Sequence, residues 1–344
     1  MKIDLADLRH LIDGALMPLG LDEEDRRVIA NEVLWTASRK DSRMNPVEEL
    51  CIDIEGAMAV APISLSVVSD RGAVRMVDLN GCPGILFLPQ LISDARQLLQ
   101  QFGVAVVGIR NTGGVHTLST WVHPLAEMGY PTIFMWNGGS YTVAPFGSSE
   151  PYFGTNPIAY AFKDAQSNVL VADMASSEAP FMDVRHGRAS GETLRPGAGL
   201  DASGNPTSDP KSIYDPSGDD TVRLLPMGGG YKGSVIMLLL EVLTGALVGG
   251  KMGRAATDDP FTPSEFGGLL VAFDPAAFGA RESFSADLSA LFDDLRQARV
   301  RPGYPSVSLP GDREQERERE AWEKGSLNLP TETMARLSGL SKRS

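Results

Sequence analysis

The sequence predicts an α/β protein: a mixed sheet in the middle of the chain, with helical segments contributed by both ends. Three observations carry this. Residues 3 to 60 repeat apolar positions at helical spacing. After Pro62 the texture changes to short apolar runs, each closed by Gly, Pro, Asn or Asp. Helix signals then return in LSALFDDLRQARV and GDREQEREREAWEKG. The expected division is a helical part built from 1–63 with 264–344, and a mixed-sheet part spanning 64–263.

The first helix is read from LxxLIxxAL, and the second opens with DEEDR, whose negative charges suit a helix start. VRMVDL, GILFL, VAVVGIR, PTIFMW, PIAYAF and NVLVADM are the expected strands, with at least two helices between them. Between Ala175 and Arg223 the chain is rich in Gly, Ser, Asp and Pro, and GLDASGNPTSDP reads as a surface hairpin followed by loop. An irregular stretch of this length is often functional. The mixed-sign run near the C-terminus reads as a solvated helix face that begins beside a Pro-Gly pair.

Composition narrows the function. The 344 residues are 42% hydrophobic, enough for a real core on the scale of about two domains. With 44 acidic against 31 basic residues and a formal charge of -13, the chain repels phosphate backbones, so no nucleic-acid partner is expected. Cys51 and Cys82 lie in unrelated contexts without CxxC spacing, which suggests neither a disulfide nor a zinc site and fits a reducing cytoplasm. Acidic residues interrupt the N-terminal apolar runs, so no secretory signal is expected. The longest apolar run, Ser234 to Gly249, is broken by Glu241 and Thr244 and is too short to span a bilayer.

Four segments look chemical. In LLPMGGGYKGSVIMLLLEVL (224 to 243), glycines precede a helix-length apolar run, an arrangement that can receive an anion or merely start a buried helix. It is neither GxxxxGK[ST] nor GxGxxG, and GAGLDA at 197 to 202 cannot open a helix. RNTGGVHTLSTW places His116 in a loop after a strand, where imidazole suits proton transfer near neutrality, although a lone loop histidine is more often structural. FGTNPIAYAF sets Thr155 and Asn156 at the mouth of a strand, to orient a ligand or shape a turn. VADMASSEAPFMDV ends an apolar strand in Asp173 and continues in small hydroxyl residues that can bind phosphate or cap a helix. The four histidines, His10, His116, His123 and His186, are scattered; no GxSxG, HExxH or metal-ligand spacing is present, and no metal is expected.

Taken in order, GTNP, DMASS, GNPTSDP, LPMGGGYKG, AFDPAAF and PGDREQERE resemble the malate/L-lactate dehydrogenase family of the second type, which is unrelated to the Rossmann lactate dehydrogenases. The resemblance covers nearly the whole chain. It implies a non-Rossmann dinucleotide-binding sheet and an NAD(P)H cofactor. The residues it implies for cofactor binding are Val171, Ala172, Asp173, Met174, Ala175, Ser176 and Ser177, together with Tyr231, Lys232, Pro310, Gly311 and Asp312. It also implies a homodimer with the site near the subunit interface, and reduction of 2-oxo acids or cyclic imino acids. No ribose-binding acid is identifiable outside a Rossmann frame, so NAD and NADP stay open.

The departures from the family pattern are specific. Where the family has D-S-H-G, with an arginine four residues after the histidine, this chain has Asp41, Ser42, Arg43, Met44, Asn45, Pro46 and Val47, so the proton-donating histidine and the carboxylate-anchoring arginine are both missing. The family's N-S-x-H-F-G becomes Asn111, Thr112, Gly113, Gly114, Val115 and His116, moving the histidine two places. Met182, Asp183 and Val184 stand where hydroxy-acid members carry Gly-Lys, and resemble the Gly-Asp-Val of the ketimine reductases. Hydride delivery to a ketone creates an alkoxide that needs a proton as it forms. Hydride addition to an iminium gives a neutral amine, so a missing histidine is tolerated better for C=N than for C=O. Arg43 can clamp a substrate carboxylate bidentately, or can simply face a helix C-terminus.

The expected catalytic set is therefore His116, Asp183 and Arg43, and the expected substrate contacts are Ser42, Arg43, Thr155 and Asn156. The expected activity is NAD(P)H-dependent reduction of C=N or C=O in a small carboxylated substrate. The competing expectation is a divergent member that binds dinucleotide without ordinary turnover or with altered chemistry.

Overall fold

The computed structural model describes residues 1–41, 45–60, 62–115, 117–138, 141–214, 222–256 and 266–343. The chain opens with strand β1 (Lys2–Asp4) and helices α1 (Leu5–Leu16), α2 (Glu23–Arg39) and α3 (Pro46–Val60). Then come β2 (Ser66–Arg71), β3 (Val74–Asp78), α4 (Leu88–Phe102), β4 (Val104–Thr112), α5 (Ser119–Glu127), β5 (Thr132–Trp136), β6 (Ile158–Lys163) and β7 (Val169–Met174). After α6 (Phe181–Ser190), a hairpin of β8 (Gly199–Leu200) and β9 (Pro206–Thr207) leads through α7 (Pro210–Ile213) to α8 (Tyr231–Glu241) and β10 (Phe266–Phe273). The C-terminal part holds α9 (Phe284–Gln297), α10 (Asp312–Lys324), β11 (Ser326–Asn328) and α11 (Thr331–Ser341).

Seven strands form one mixed sheet in the order β2-β3-β4-β10-β5-β6-β7, with β3 and β4 parallel and the other pairs antiparallel. This is not the Rossmann order of parallel strands. Period-2 alternation gives the sheet two apolar faces. Phe134, Leu270 and Ala161 point into the large core shared with α1 to α5 and α11. Met135, Leu269 and Ile158 point the other way, against Leu240 of α8 and the π-helical turn Val242–Ala246 that follows it. The helices from both chain ends meet directly. α1 packs on α11, and β1 pairs with β11.

Three features differ from the sequence expectation, the first being that β2, which lies outside the runs expected as strands, forms an edge of the sheet. GILFL is a 3-10 turn, Gly84–Phe87, that runs into α4, because Pro83 and Pro89 frame it and a short buried apolar run carries no period that separates strand from helix. β10, which the 263/264 division assigns to the helical part, is the central strand of the sheet. Its Gly267-Gly268 pair lowers strand propensity but is required there. A Cβ on Gly267 would come within 2.1 Å of the Thr244 carbonyl, and one on Gly268 within 2.7 Å of the Trp136 ring. The expected surface hairpin is present as β8-β9, and the charge-laced helix as α10. Cys51 is a core residue whose thiol burial pushes up to about 12, so it is no nucleophile. Among the described residues no helix is long and apolar enough to cross a membrane.

Candidate active site

Three stretches of the chain converge on the small-residue run after β7. The Thr155 carbonyl accepts from both the Ser176 amide (2.9 Å) and the Ser176 hydroxyl (3.1 Å), tying the GTNP turn to the run. Met227 N donates to the Ser176 carbonyl (2.9 Å), Glu178 N donates to Leu225 O (2.7 Å), and Ser177 bridges Pro226, which docks the glycine loop onto the same run. The loop turns because Gly228 and Gly229 adopt φ of 71° and 57°, and nothing lies within 4 Å of a Cβ built on either. Its other side is tightly packed, since a Cβ on Gly233 would come within 2.2 Å of Met227 O. α8 starts at Gly230 without a side-chain cap, leaving its first N–H groups beside exposed Tyr231 and Lys232. Tyr231 meets Phe146 edge to face. The Gly228 amide donates to the Glu178 carboxylate, so the groups left to meet the phosphates of a dinucleotide are the uncapped N–H groups of α8 and Lys232.

The far end of β7 is closed by the Pro310-Gly311-Asp312 turn. Gly311 sits at φ 87°, and a Cβ there would approach Val171 O to 2.7 Å, so only glycine lets the turn lie on the strand. Asp312 directs its carboxylate into its own turn, Oδ2 accepting from Leu309 N (2.7 Å) while Oδ1 lies 3.3 Å from Arg296 Nη2. The first and last segments expected to hold the cofactor thus meet on one strand.

Asn156 is fully buried at φ 37° and donates through Nδ2 to Glu241 Oε2 (2.6 Å). Glu241 Oε1 accepts from Gly253 N (2.6 Å). Burial pushes the Glu241 carboxyl up, against the opposing effect of these two donors. Asn156 Oδ1 is buried and accepts no hydrogen bond. Asn156 directly follows Thr155, whose carbonyl receives Ser176. Glu241 was missing from the sequence-derived site, although it is the single charged residue in the apolar run 234–249, and that was its signal.

Asp173 receives the Ser119 amide at the start of α5 (3.0 Å) and lies 3.6 Å from Lys40 Nζ. Lys40 ends α2, and its amide still bonds to Thr36 O. Just before it, Arg39 is 4% exposed, pairs with Glu318 of α10 and lies over the Trp35 ring at 4.6 Å. The root of Lys40 is therefore fixed. Sequence reasoning passed over Lys40 because a lysine closing a helix is ordinary. Asp183 lies in the first turn of α6, directly after the small-residue run. His116, Ser42 and Arg43 fall outside the described residues. Among the described residues no group of three or more His, Cys, Asp or Glu side chains is arranged to hold a metal.

This architecture is that of a dinucleotide-linked oxidoreductase outside the Rossmann class. The sequence profile of the malate/L-lactate dehydrogenase family matches residues 3–338, and the chain belongs to that family as an NAD(P)-dependent oxidoreductase. It is 31% identical over 355 residues to the Delta(1)-pyrroline-2-carboxylate/Delta(1)-piperideine-2-carboxylate reductase of Pseudomonas putida, covering 99% of this chain and 97% of the relative. It is 28% identical over 337 residues to the ureidoglycolate dehydrogenase (NAD(+)) of Escherichia coli K12, covering 93% and 90%. The solved delta1-piperideine-2-carboxylate reductase of Pseudomonas syringae superposes with a TM-score of 0.83 at 25% identity, over 99% of both chains.

Proposed function

We propose that this protein reduces the C=N bond of a small cyclic imino carboxylate. The observation that carries the reading is Arg43 in the place of the family's proton-donating histidine, joined to Met182-Asp183-Val184 after the small-residue run. An iminium takes up hydride without creating an alkoxide, so this substitution disables ketone reduction more than imine reduction. The similarity to imino-acid reductases along nearly the whole chain supports it. NAD(P)H supplies the hydride when bound. Residues 171–177, Tyr231, Lys232 and the 310–312 turn hold it, the first by lining the strand end and the second group by meeting its phosphates. Arg43 clamps the substrate carboxylate as a bidentate donor. Arg43→Ala should then raise KM for the imino acid about tenfold or more with a smaller change in kcat; an unchanged KM removes the clamp from the account.

A second reading, C=O reduction of a 2-oxo acid, is favoured by the ureidoglycolate dehydrogenase relative. There His116, oriented by Asp183, would supply the proton. Product analysis separates the two: incubation of Δ1-pyrroline-2-carboxylate with 4-deuterated NADPH or NADH should give proline carrying deuterium at C2. No labelled proline from either cofactor sinks the first reading.

The homodimer belongs to the same proposal. α8 and the turn after it expose Leu238 (54%), Leu239 (53%) and Leu247 (63%), an apolar face of the kind that marks a protein interface. A second copy on this face would sit beside the glycine loop at the start of α8. Light scattering should give a dimer for the parent and a monomer for Leu239→Glu; a monomeric parent contradicts it.

A further inference from the structure

The iminium that makes the histidine dispensable must itself be formed, because a cyclic imine needs a proton on nitrogen before it accepts hydride readily. We infer that Lys40 supplies that proton, with Asp173 as its positioning residue. The inference rests on the imine reading above.

Lys40 Nζ lies 3.6 Å from Asp173 Oδ2, with side-chain exposures of 17% and 15%, so the ammonium is held near the end of β7 rather than waving in solvent. That separation exceeds hydrogen-bond length, so the carboxylate orients the ammonium without taking up its N–H groups. Asp173 is itself fixed by the Ser119 amide, and the root of Lys40 by the Arg39–Glu318 pair and the Arg39–Trp35 contact. Lys40 also borders a cavity of about 340 Å³ with Asp41, Asn45, Arg317 and Lys324, a volume sufficient for a compact carboxylated ring. Arg317 is paired there with Asp41 and Lys324 with Glu320, so these two cations are already countered.

The step balances. A Lys40 N–H bond breaks as the proton passes to the imine nitrogen, leaving Nζ neutral. Hydride from the reduced dinucleotide then forms the new C–H bond at C2, the C=N π pair becomes the nitrogen lone pair, and the dinucleotide leaves oxidised. Lys40 recovers its proton from solvent. The sum is imine, reduced dinucleotide and one proton giving amine and oxidised dinucleotide.

The test compares the parent with Lys40→Met, Lys40→Arg and Lys40→Ala on Δ1-pyrroline-2-carboxylate. Lys40→Met should lower kcat by about 10²-fold or more, with the dissociation constant of NADPH, read by fluorescence titration, unchanged. Lys40→Arg keeps the charge and the Asp173 partner but cannot release a proton, so it should be as slow as Lys40→Met. Methylamine should restore part of the rate to Lys40→Ala and none to the parent. Near-parental activity in Lys40→Arg, or a Lys40→Ala variant that binds NADPH normally yet is not rescued by methylamine, overturns the inference while leaving imine reduction standing. A parent that reduces no imino acid overturns the imine reading itself, and the inference with it.

Discussion

Glu241→Ala should cost roughly 2–4 kcal/mol of stability, because it strips the acceptor from a buried donor and a part-buried one at once. Asn156 Nδ2 and the part-buried Gly253 N both point at this carboxylate, each at 2.6 Å, and without it Nδ2 keeps only a long contact of 3.4 Å to Met237 O. The loss then spreads. Asn156 holds a left-handed backbone at φ 37°, a conformation that persists only when its surroundings enforce it. Thr155 O is the anchor for the Ser176 amide and hydroxyl, so cofactor affinity should fall along with stability. Glu241→Gln should be far milder. An overturned Asn156 amide would present its unpartnered Oδ1 to the new Gln N–H group, and the Gln carbonyl could keep Gly253. The pH dependence has a definite sign. Burial raises the Glu241 carboxyl above its ordinary 4.5, so the folded protein holds this proton more tightly than the unfolded chain. Its contribution is full below the unfolded value and is lost as pH rises through the folded one. The parent should therefore lose stability relative to Glu241→Gln as pH climbs from about 4.5 upward, measured as paired denaturant unfolding curves. A difference that is flat or grows with pH contradicts the assignment.

Gly311→Ala should cost roughly 2–4 kcal/mol and weaken dinucleotide binding about tenfold. Two penalties combine. A non-glycine residue at φ 87° is strained, and the added methyl would press to 2.7 Å from Val171 O. The turn must lift off β7, and with it the start of α10, whose Glu318 pins Arg39 at the end of α2. Thermal unfolding with and without NADPH checks both parts: the variant should melt lower and gain less from the cofactor. Unchanged melting would mean that the turn does not rest on the strand.

Much of this architecture is legible in the sequence, for reasons that differ by element. The strands of the sheet show because each apolar run is short and ends in a turn former, as NVLVADM does before the small residues. GILFL fails the same reading because helix and strand look alike over five buried apolar residues. β10 is hidden by its glycine pair, which only the closeness of Thr244 and Trp136 explains. The segments expected to hold the cofactor are legible as motifs in order, whereas the pairings that support them are not. Glu241 meets Asn156 across 85 residues, and Lys40 meets Asp173 across most of the sheet, so neither pairing leaves a local pattern. Buried pairings of this kind become visible only when the fold closes.

The preference expected from Arg43 in place of the family's histidine is for C=N over C=O. Its most direct test is the ratio of kcat/KM for Δ1-pyrroline-2-carboxylate to that for pyruvate, measured on one preparation with NADPH and again with NADH. The ratio should be well above one with the better cofactor. A ratio below one, or a protein that binds neither dinucleotide at millimolar concentration, contradicts it.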